Sequence, residues 1–392
     1  MLNVKKKVAF YLKRFLSGGI ESTLVQYLNH IDMNLYEVSL IVGFETLPHA
    51  ALLEQISSHV KIIHVVACNF LSITPISAPK KSNKFLHKVL YQVITRPLSK
   101  VYLHYKRIQL LREFDCVVDY GLTLGNSIKK IPGKVVGYFH FRLSHHYIAN
   151  KVTKRFHRVL PNYDHLVVIN QQMLHDAESI FPECIGKFVL IYNQFNFATI
   201  LERSEQNFEN DQLMNQKFIL SSGRLIETQK DFTSLINAYN CLKNNYSRQE
   251  KLYIIGDGPD RDKLQVLIQN LGLQNDVFLI GYQKNPFIWI KHAQCFVLSS
   301  KHEGLPSVLI EAMALNIPVV STNCPDGPNE ILLGGEAGAL VEVSDIEGLS
   351  VAMNRVLSDA DYANKIKQVS AQHLNRFNIE YNIHKLYQIF NG

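Results

Sequence analysis

The sequence predicts an α/β protein of two doubly wound, Rossmann-like domains facing across a cleft. Three observations predict it. At 392 residues the chain exceeds what one hydrophobic core usually organises. Short β-rich apolar runs alternate with helically spaced segments, a pattern that implies parallel sheets covered by helices. A polar stretch from about Asn193 to Lys217 divides these runs into two series.

In the first series the apolar runs are 8–12, 37–42, 61–66, 116–120, 135–140, 165–169 and 188–192. They are nearly continuous rather than alternating, as strands buried on both faces are. Leu24, Tyr27, Leu28 and Ile31 between them have the spacing of one helix face. The polar stretch holds Glu202, Arg203, Ser204, Glu205, Gln206, Asn207, Glu209, Asn210 and Asp211, with little to bury, and reads as a linker. The second series has strands at 218–221, 252–255, 277–280, 295–298, 319–321 and 339–343, each followed by a helical pattern. Ile366 and Val369, then Ile383, Leu386 and Ile389, mark helices at the end of the chain. The expected organisation is therefore an N-terminal domain at 1–195, a linker at 196–216, a C-terminal domain at 217–375, and a last helix at 376–392 that packs back on the N-terminal domain.

The net charge of +7 is unevenly distributed, since residues 1–200 hold 24 Lys+Arg against 12 Asp+Glu. Between Glu54 and Glu113 there is no acidic residue, while nine of the cations, from Lys80 to Arg112, fall there. Within that region Phe85, Leu86, Val89, Leu90, Val93 and Ile94 recur at helical spacing beside Lys84 and Lys88. The segment reads either as a basic amphipathic helix on an anionic membrane surface or as an ordinary helix covering the sheet, and the charge excess favours the membrane. The six cysteines are scattered singly, without the paired spacing of a zinc site or the density of a disulfide framework, which suggests reduced thiols in a cytoplasm. The run 8–12 is cut off by Lys13 and Arg14, too short for a signal-peptide core. No stretch reaches the roughly 18 apolar residues that a membrane helix needs. A cytoplasmic protein, peripheral on the inner face of the cell membrane, is the expectation.

In a doubly wound sheet, ligands sit beyond the carboxyl ends of the strands, where loops lead into helix N-termini. After the strand 218–221 come Gly223, Arg224 and Lys230; after 295–298 come Glu303, Gly304, Leu305, Pro306, Ser307 and Glu311. Arg224 and Lys230 bracket a turn, so two cations can converge on one diphosphate and stabilise charge that grows on it as a bond breaks. A basic pair beside a loop is more often a solvated surface feature when taken alone. Pro306 suits the first turn of a helix, whose free amides favour a phosphate, and Glu311 falls about two turns further on. Embedded among Leu309, Ile310, Ala312 and Met313, that carboxylate needs polar partners such as ribose hydroxyls.

Other signals point elsewhere and are set aside. Asp260-Arg-Asp262 has the form of a metal-binding Asp-x-Asp, but it opens a helical pattern, where first-turn acids are expected from the helix dipole. Asp359-Ala-Asp361 lies between helices. Gly256-x-Gly258 lacks the third glycine of a dinucleotide fingerprint, which is Arg261 here, so a nicotinamide enzyme is not expected. No nucleophile motif of a hydrolase and no nucleic-acid module accompany the basic half.

In order and spacing, the blocks Ser221-Ser-Gly-Arg-Leu, Lys230, Ile255-Gly-Asp-Gly-Pro, Gly281-Tyr-Gln-Lys-Asn-Pro, Glu303-Gly-Leu-Pro-Ser-Val-Leu-Ile-Glu311-Ala-Met-Ala and Gly327-Pro-Asn-Glu-Ile resemble glycosyltransferase family 4 (glycosyl transferases group 1). Near the N-terminus, Gly18-Gly-Ile-Glu21 resembles that family's Gly-Gly-x-Glu loop. The resemblance implies a GT-B fold and a retaining transferase moving a hexosyl or N-acetylhexosaminyl group. The donor would be a nucleotide diphosphate sugar, UDP-linked. The acceptor would be a glycan or lipid-linked saccharide of the kind found in lipopolysaccharide or capsule. It implies that Arg224 and Lys230 grip the diphosphate, Glu311 the ribose and Glu303 the transferred sugar. Gly304 to Ser307 would add main-chain contacts, and Gly223, Gly281 and Tyr282 would line the donor site. Gly18 and Gly19 would let the N-terminal domain approach the donor. His140 matches a position where such enzymes carry a histidine near the sugar, and His302 is a second candidate. No metal or other cofactor is expected, because the two cations take the electrostatic role. A nucleotide-sugar epimerase or hydrolase on the same fold, or a sugar-nucleotide-binding protein without turnover, remain as alternatives.

Overall fold

The computed structural model of the protein describes residues 5–15, 19–43, 52–65, 96–140, 150–207, 216–325 and 327–392. Gly18 and the amphipathic segment 85–94 lie outside the described residues. The chain divides into two compact units, Met1–Gln194 with Asn382–Gly392, and Phe195–Tyr381.

The first unit is built on a seven-stranded parallel sheet in the order β3-β2-β1-β4-β5-β6-β7. Its strands are β1 Lys6–Leu12, β2 Tyr36–Val42, β3 Lys61–His64, β4 Cys116–Asp119, β5 Lys134–Tyr138, β6 His165–Val168 and β7 Phe188–Leu190. The helices between them are α1 Gly19–His30, α2 Arg96–Leu111, α3 Asn150–Val159 and α4 Gln171–Ile180. Val8, Ala9 and Phe10 of β1 are wholly buried, as are Val117 and Val118 of β4 and Val136 of β5, so the continuous apolar runs follow from burial on both faces. Asn170 starts α4 by accepting from the N–H of Met173 at 2.6 Å, taking up one of the helix's otherwise unpaired donors.

The second unit holds a six-stranded parallel sheet in the order β10-β9-β8-β11-β12-β13. Its strands are β8 Phe218–Ser222, β9 Lys251–Ile255, β10 Val277–Gly281, β11 Cys295–Leu298, β12 Val319–Thr322 and β13 Ala339–Val341. Helices α5 Phe197–Ser204, α6 Glu227–Lys230, α7 Phe232–Tyr246, α8 Arg261–Asn270, α9 Phe287–His292, α10 Ser307–Ala314, α11 Pro328–Ile331, α12 Ile346–Ser358 and α13 Ala360–His373 complete it. Helix α5 lies within the stretch expected to be a polar linker. Asn196 caps it through the N–H of Thr199 at 3.0 Å, and Ile200 is buried as the helix packs on α9 and α10. Asp359 likewise caps α13 by accepting from Tyr362 N–H at 2.9 Å, so Asp359-Ala-Asp361 is a helix start.

A last helix, α14 Ile379–Asn391, begins in the second unit and from Asn382 onward belongs to the first. There Ile383, Leu386, Ile389 and Phe390 join the first unit's core. Lys6 and Lys134 donate to the terminal carbonyls of Phe390 and Ile389 at 3.1 and 2.8 Å, where cations suit a helix C-terminus. Among the described residues no helix is long and apolar enough to cross a membrane.

In both sheets the strand order reverses once, between β1 and β4 and between β8 and β11. The loops beyond the carboxyl ends of these strands flank the crevice where doubly wound sheets bind ligands.

Candidate functional site

In the second unit the loop after β8 is held tightly by the loop after β9. Gly223 N–H donates to the Ile255 carbonyl at 2.9 Å and Leu225 N–H to that of Asp257 at 3.0 Å. A Cβ on Gly256 would fall 1.9 Å from the Gly223 oxygen, and one on Gly258 would fall 2.4 Å from the Leu225 oxygen. The two glycines therefore serve close loop packing, which is the physical reason for Gly256-x-Gly258. Asp260 accepts from Glu227 N–H at 2.8 Å, and Glu227 in turn accepts from the N–H groups of Phe232 and Thr233, both at 3.0 Å. These carboxylates cap α6 and α7, so Asp260 serves as a structural cap. Among the described residues no group of three or more His, Cys, Asp or Glu side chains converges as a metal site would require.

This scaffold sets Lys230. Its aliphatic stem lies over Gly223, where a Cβ would come within 3.1 Å of Lys230 Cε. Its ammonium meets Glu303 Oε1 at 2.5 Å, with only 14% and 8% of the two side chains exposed. Ser300, buried after β11, donates its hydroxyl to the same carboxylate oxygen at 2.6 Å. Ser300 is fixed by Thr322, whose hydroxyl donates to the Ser300 carbonyl at 2.6 Å, and Ser299 donates to the Lys230 carbonyl at 2.8 Å. Beside the pair, burial pushes the Cys324 thiol up to about 12, with the Glu303 charge adding to the shift and Lys230 opposing it.

Helix α10 starts one residue later than expected: Pro306 is the extended N-cap residue and Ser307 the first helical one. Gly327, at φ +90°, supports the preceding loop so closely that a Cβ there would lie 2.2 Å from the Gly304 oxygen and 2.7 Å from Pro306 Cδ. Gly304 and Ser307 are exposed, and Leu305 is half-buried. One turn into the helix, burial pushes the Glu311 carboxyl up to about 7, although a hydrogen bond from Ser307 and the charge of Arg203 pull the other way. Arg203 comes from α5, where it stacks on Phe287 at 4.8 Å and donates to the Lys284 carbonyl at 3.0 Å.

Lys230, Glu303 and Gly223 are thus brought together, and Glu311 stands on the helix that follows Glu303. Arg224 is exposed, and its guanidinium forms no ion pair among the described residues. Gly281 takes φ +83° and its carbonyl accepts from Gly256 N–H at 2.9 Å, leaving Tyr282 78% exposed. His302 is exposed. Sequence reasoning missed Ser300 and Arg203. The only signal for Ser300 was its place one turn ahead of Glu303, and Arg203 carried none.

In the first unit, Gly19 opens α1 and Glu21 is buried in its first turn. His140 follows β5, stacked on Tyr138 with ring centroids 4.8 Å apart and set 4.4 Å from the ring of Tyr120. Burial lowers its pKa to about 3, although a hydrogen bond to the Tyr120 backbone favours the charged form. That bond commits one ring nitrogen, and Nε2 is buried without a partner among the described residues. His140 is therefore a neutral imidazole with one open hydrogen-bonding position. Within the described part of the acid-free region, α2 exposes Val101 (67%), Tyr102 (40%) and Tyr105 (67%) on the face that also carries Lys106. Arg107 turns inward to Tyr11 Oη, Ser127 Oγ and the Leu124 carbonyl.

Two Rossmann-like parallel-sheet domains, the second with a lysine–glutamate pair at its switch point, define the GT-B class of sugar-transfer folds. Residues 202–373 match the family model described as Glycosyl transferases group 1. It is 40% identical over 172 residues to an uncharacterized glycosyltransferase of Methanocaldococcus jannaschii, covering 43% of this chain and 42% of that one. It is 33% identical over 211 residues to the N-acetylgalactosamine-N,N'-diacetylbacillosaminyl-diphospho-undecaprenol 4-alpha-N-acetylgalactosaminyltransferase of Campylobacter jejuni, covering 53% and 55%. The chain thus spans about half the length of these two curated relatives. An uncharacterized glycosyltransferase of Haemophilus influenzae is 26% identical over 359 residues, covering 91% and 92%. Among solved structures, Anabaena HepE in complex with UDP shares the fold with a TM-score of 0.73 at 17% identity over 98% of both chains.

Proposed function

We propose that this protein is a retaining glycosyltransferase that moves a sugar from a UDP-linked donor to a hydroxyl of a cell-surface glycan or lipid-linked saccharide. The buried contact between Lys230 and Glu303, braced by Ser300 and seated on Gly223 at the switch point, carries the reading. An ammonium there suits a diphosphate, and a carboxylate beside it suits sugar hydroxyls. Arg224, exposed one residue past Gly223, supplies the second cation for the diphosphate. Glu311, protonated or ionised near neutral pH, accepts from ribose hydroxyls. Gly304, Leu305, Pro306 and Ser307 present main-chain amides to the phosphates, with Gly281 and Tyr282 at the base of the donor site. The open nitrogen of His140 suits a sugar hydroxyl, the role that the family 4 resemblance implies for it.

The relatives support the choice of substrates. The Campylobacter jejuni protein is named for a diphospho-undecaprenol acceptor, a Salmonella typhimurium relative is a lipopolysaccharide 1,6-galactosyltransferase, and the HepE structures hold UDP or UDP-glucose. The family 4 resemblance supplies retention. In the step we infer, the bond from the anomeric carbon to the phosphate oxygen breaks while the acceptor oxygen bonds to the same face. The acceptor's proton passes to the departing phosphate, and Arg224 and Lys230 stabilise the negative charge that develops there. With those cations in that role, activity persists in a chelator. The exposed tyrosines and Lys106 of α2 give the basic first unit its contact with the inner face of an anionic membrane.

Incubation with UDP-sugars, with and without lipid-linked or oligosaccharide acceptors, tests the proposal. Transfer needs both substrates, an epimerase or hydrolase needs the donor alone, and a binding protein releases no UDP. Retained donor affinity in Arg224→Ala and Glu311→Ala would refute the site.

A further inference from the structure

Beyond β4 in the first unit lies a second basic recess that the donor site does not use. It has a volume of about 280 Å³ and is lined by Thr123, Leu124, Gly125, Asn126, Arg155, Arg158 and Val159. It opens beside the reversal of strand order between β1 and β4, where a doubly wound sheet takes its ligand.

Arg155 and Arg158 are one turn apart on α3 and so lie on one face of the helix. Both are exposed, and among the described residues neither guanidinium has an ion-pair partner. Gly125 faces Arg155: at φ +58°, with a would-be Cβ 3.7 Å from Arg155 Nη2, it keeps the space in front of that guanidinium clear. The acid behind this wall is withdrawn. Asp119 is wholly buried and accepts from the N–H groups of Thr123 and Leu124 at 3.0 and 2.7 Å and from Tyr163 Oη at 2.7 Å. Its charge is engaged by those donors instead of by the arginines. Glu183, the acid on the far side of α3, is taken by His157 at 2.6 Å. Lys129 and Lys130, both exposed on the turn after Asn126, add to the positive field. Two open guanidinium forks, an amide and, among the described residues, no facing carboxylate suit a group with several anionic oxygens.

We propose that this recess binds a phosphate or diphosphate group of the acceptor, with Arg155 and Arg158 as its ligands and Asn126 as a neutral donor. The proposal rests on the reading above that the acceptor is a saccharide carried on a lipid or glycan. It adds that the acceptor is recognised through its phosphate as well as its sugar.

Two measurements on the full chain test it. The first titrates inorganic pyrophosphate calorimetrically into protein carrying Arg224→Ala with the buried pair replaced whole, Lys230→Met and Glu303→Gln, so that the donor-side cations do not compete and no unpaired charge is left behind. One site is expected, weakened roughly 10- to 100-fold by adding Arg155→Gln and Arg158→Gln, in line with losing charged hydrogen bonds. Asn126→Asp should weaken it in the same direction with both arginines intact. Unchanged binding in these variants overturns the site, whatever the protein's activity.

The second measurement compares a short prenyl-diphosphate-linked saccharide with the same saccharide lacking the diphosphate, using otherwise native protein. Arg155→Gln/Arg158→Gln should raise KM about 10-fold or more for the first acceptor, while leaving KM for the second and for the donor unchanged. If pyrophosphate binding is lost but both acceptors behave as with native protein, the ligand is a free phosphate and the acceptor assignment is wrong. If no acceptor is glycosylated at all, the proposed function fails, while the titration still decides the recess.

Discussion

Glu311→Gln separates what the protein's fold prefers from what its ligand needs. The carboxyl is pushed from 4.5 to about 7 chiefly by burial, with Ser307 and Arg203 compensating in part. In the unfolded chain it loses its proton near 4.5, whereas in the empty folded protein it keeps it until about 7. Between those values the folded state binds more protons, so this group's contribution to stability falls as pH rises and levels off above about 7. At 1.36 kcal/mol per pH unit the loss amounts to about 3 kcal/mol by pH 8. Glutamine has the same shape and does not titrate. Urea denaturation of the ligand-free proteins should therefore give similar stabilities near pH 4 and a Glu311→Gln advantage of about 3 kcal/mol near pH 8. Donor affinity should move the other way, falling roughly 10-fold or more as a charged acceptor for ribose hydroxyls is lost. Stability curves that run parallel from pH 4 to 8 would refute the burial argument. Undiminished UDP binding would refute the ribose assignment.

Three further outcomes follow from other contacts. Gly223→Ala places a methyl 3.1 Å from Lys230 Cε and displaces the stem that sets the ammonium against Glu303, so kcat should fall about 10-fold with little change in unfolding midpoint. His140, held near 3 by burial, should keep the ring nitrogen shifts of a neutral imidazole in NMR titration from pH 8 to 5. Because its folded pKa lies below the unfolded value of 6.5, its contribution to stability is lost as pH falls, by about 2 kcal/mol at pH 5, and a His140 resonance that titrates near 6.5 would contradict the burial. Tyr102→Ser/Tyr105→Ser, which removes two exposed rings from α2, should weaken flotation with anionic vesicles several-fold at moderate salt. Binding that ignores both the substitution and added salt would count against that face.

The strands were legible because parallel strands covered on both sides admit almost only apolar residues, as Val8 to Phe10 and Cys295 to Leu298 show. Helix α5 was not legible as an element, because its charged residues lie close together in sequence and mask a buried face that carries only Ile200 and Ser204. Only the fold reveals what the helix touches: Ile200 meets α9 and α10, and Arg203 comes near Glu311. The start of α10 was misjudged by one residue because proline fits both the N-cap and the first turn, and the choice between them depends on the Gly327 loop pressed against Pro306.

The same distinction runs through the site. That Gly223, Lys230 and Glu303 lie together could be read from sequence because the doubly wound fold gathers the loops that follow neighbouring strands, so position along the chain stands in for position in space. Ser300 and Thr322 could not, since their value lies in a relay of hydrogen bonds from β12 through Ser300 to Glu303 that joins residues far apart in sequence. Gly256 and Gly258 were readable as important but not as to purpose, since a glycine needed for a phosphate and one needed for a loop contact look alike until the neighbouring carbonyl is found 1.9 Å from the missing Cβ. That relay also bears on how the site must be probed. Lys230 and Glu303 satisfy each other in a setting only 14% and 8% exposed, and removing one member of a buried pair costs several kcal/mol through the charge left behind. A single substitution at either position therefore mixes folding with chemistry. Gly223 and Ser300, which hold the pair without carrying charge, are the positions where geometry is altered and the charge balance kept.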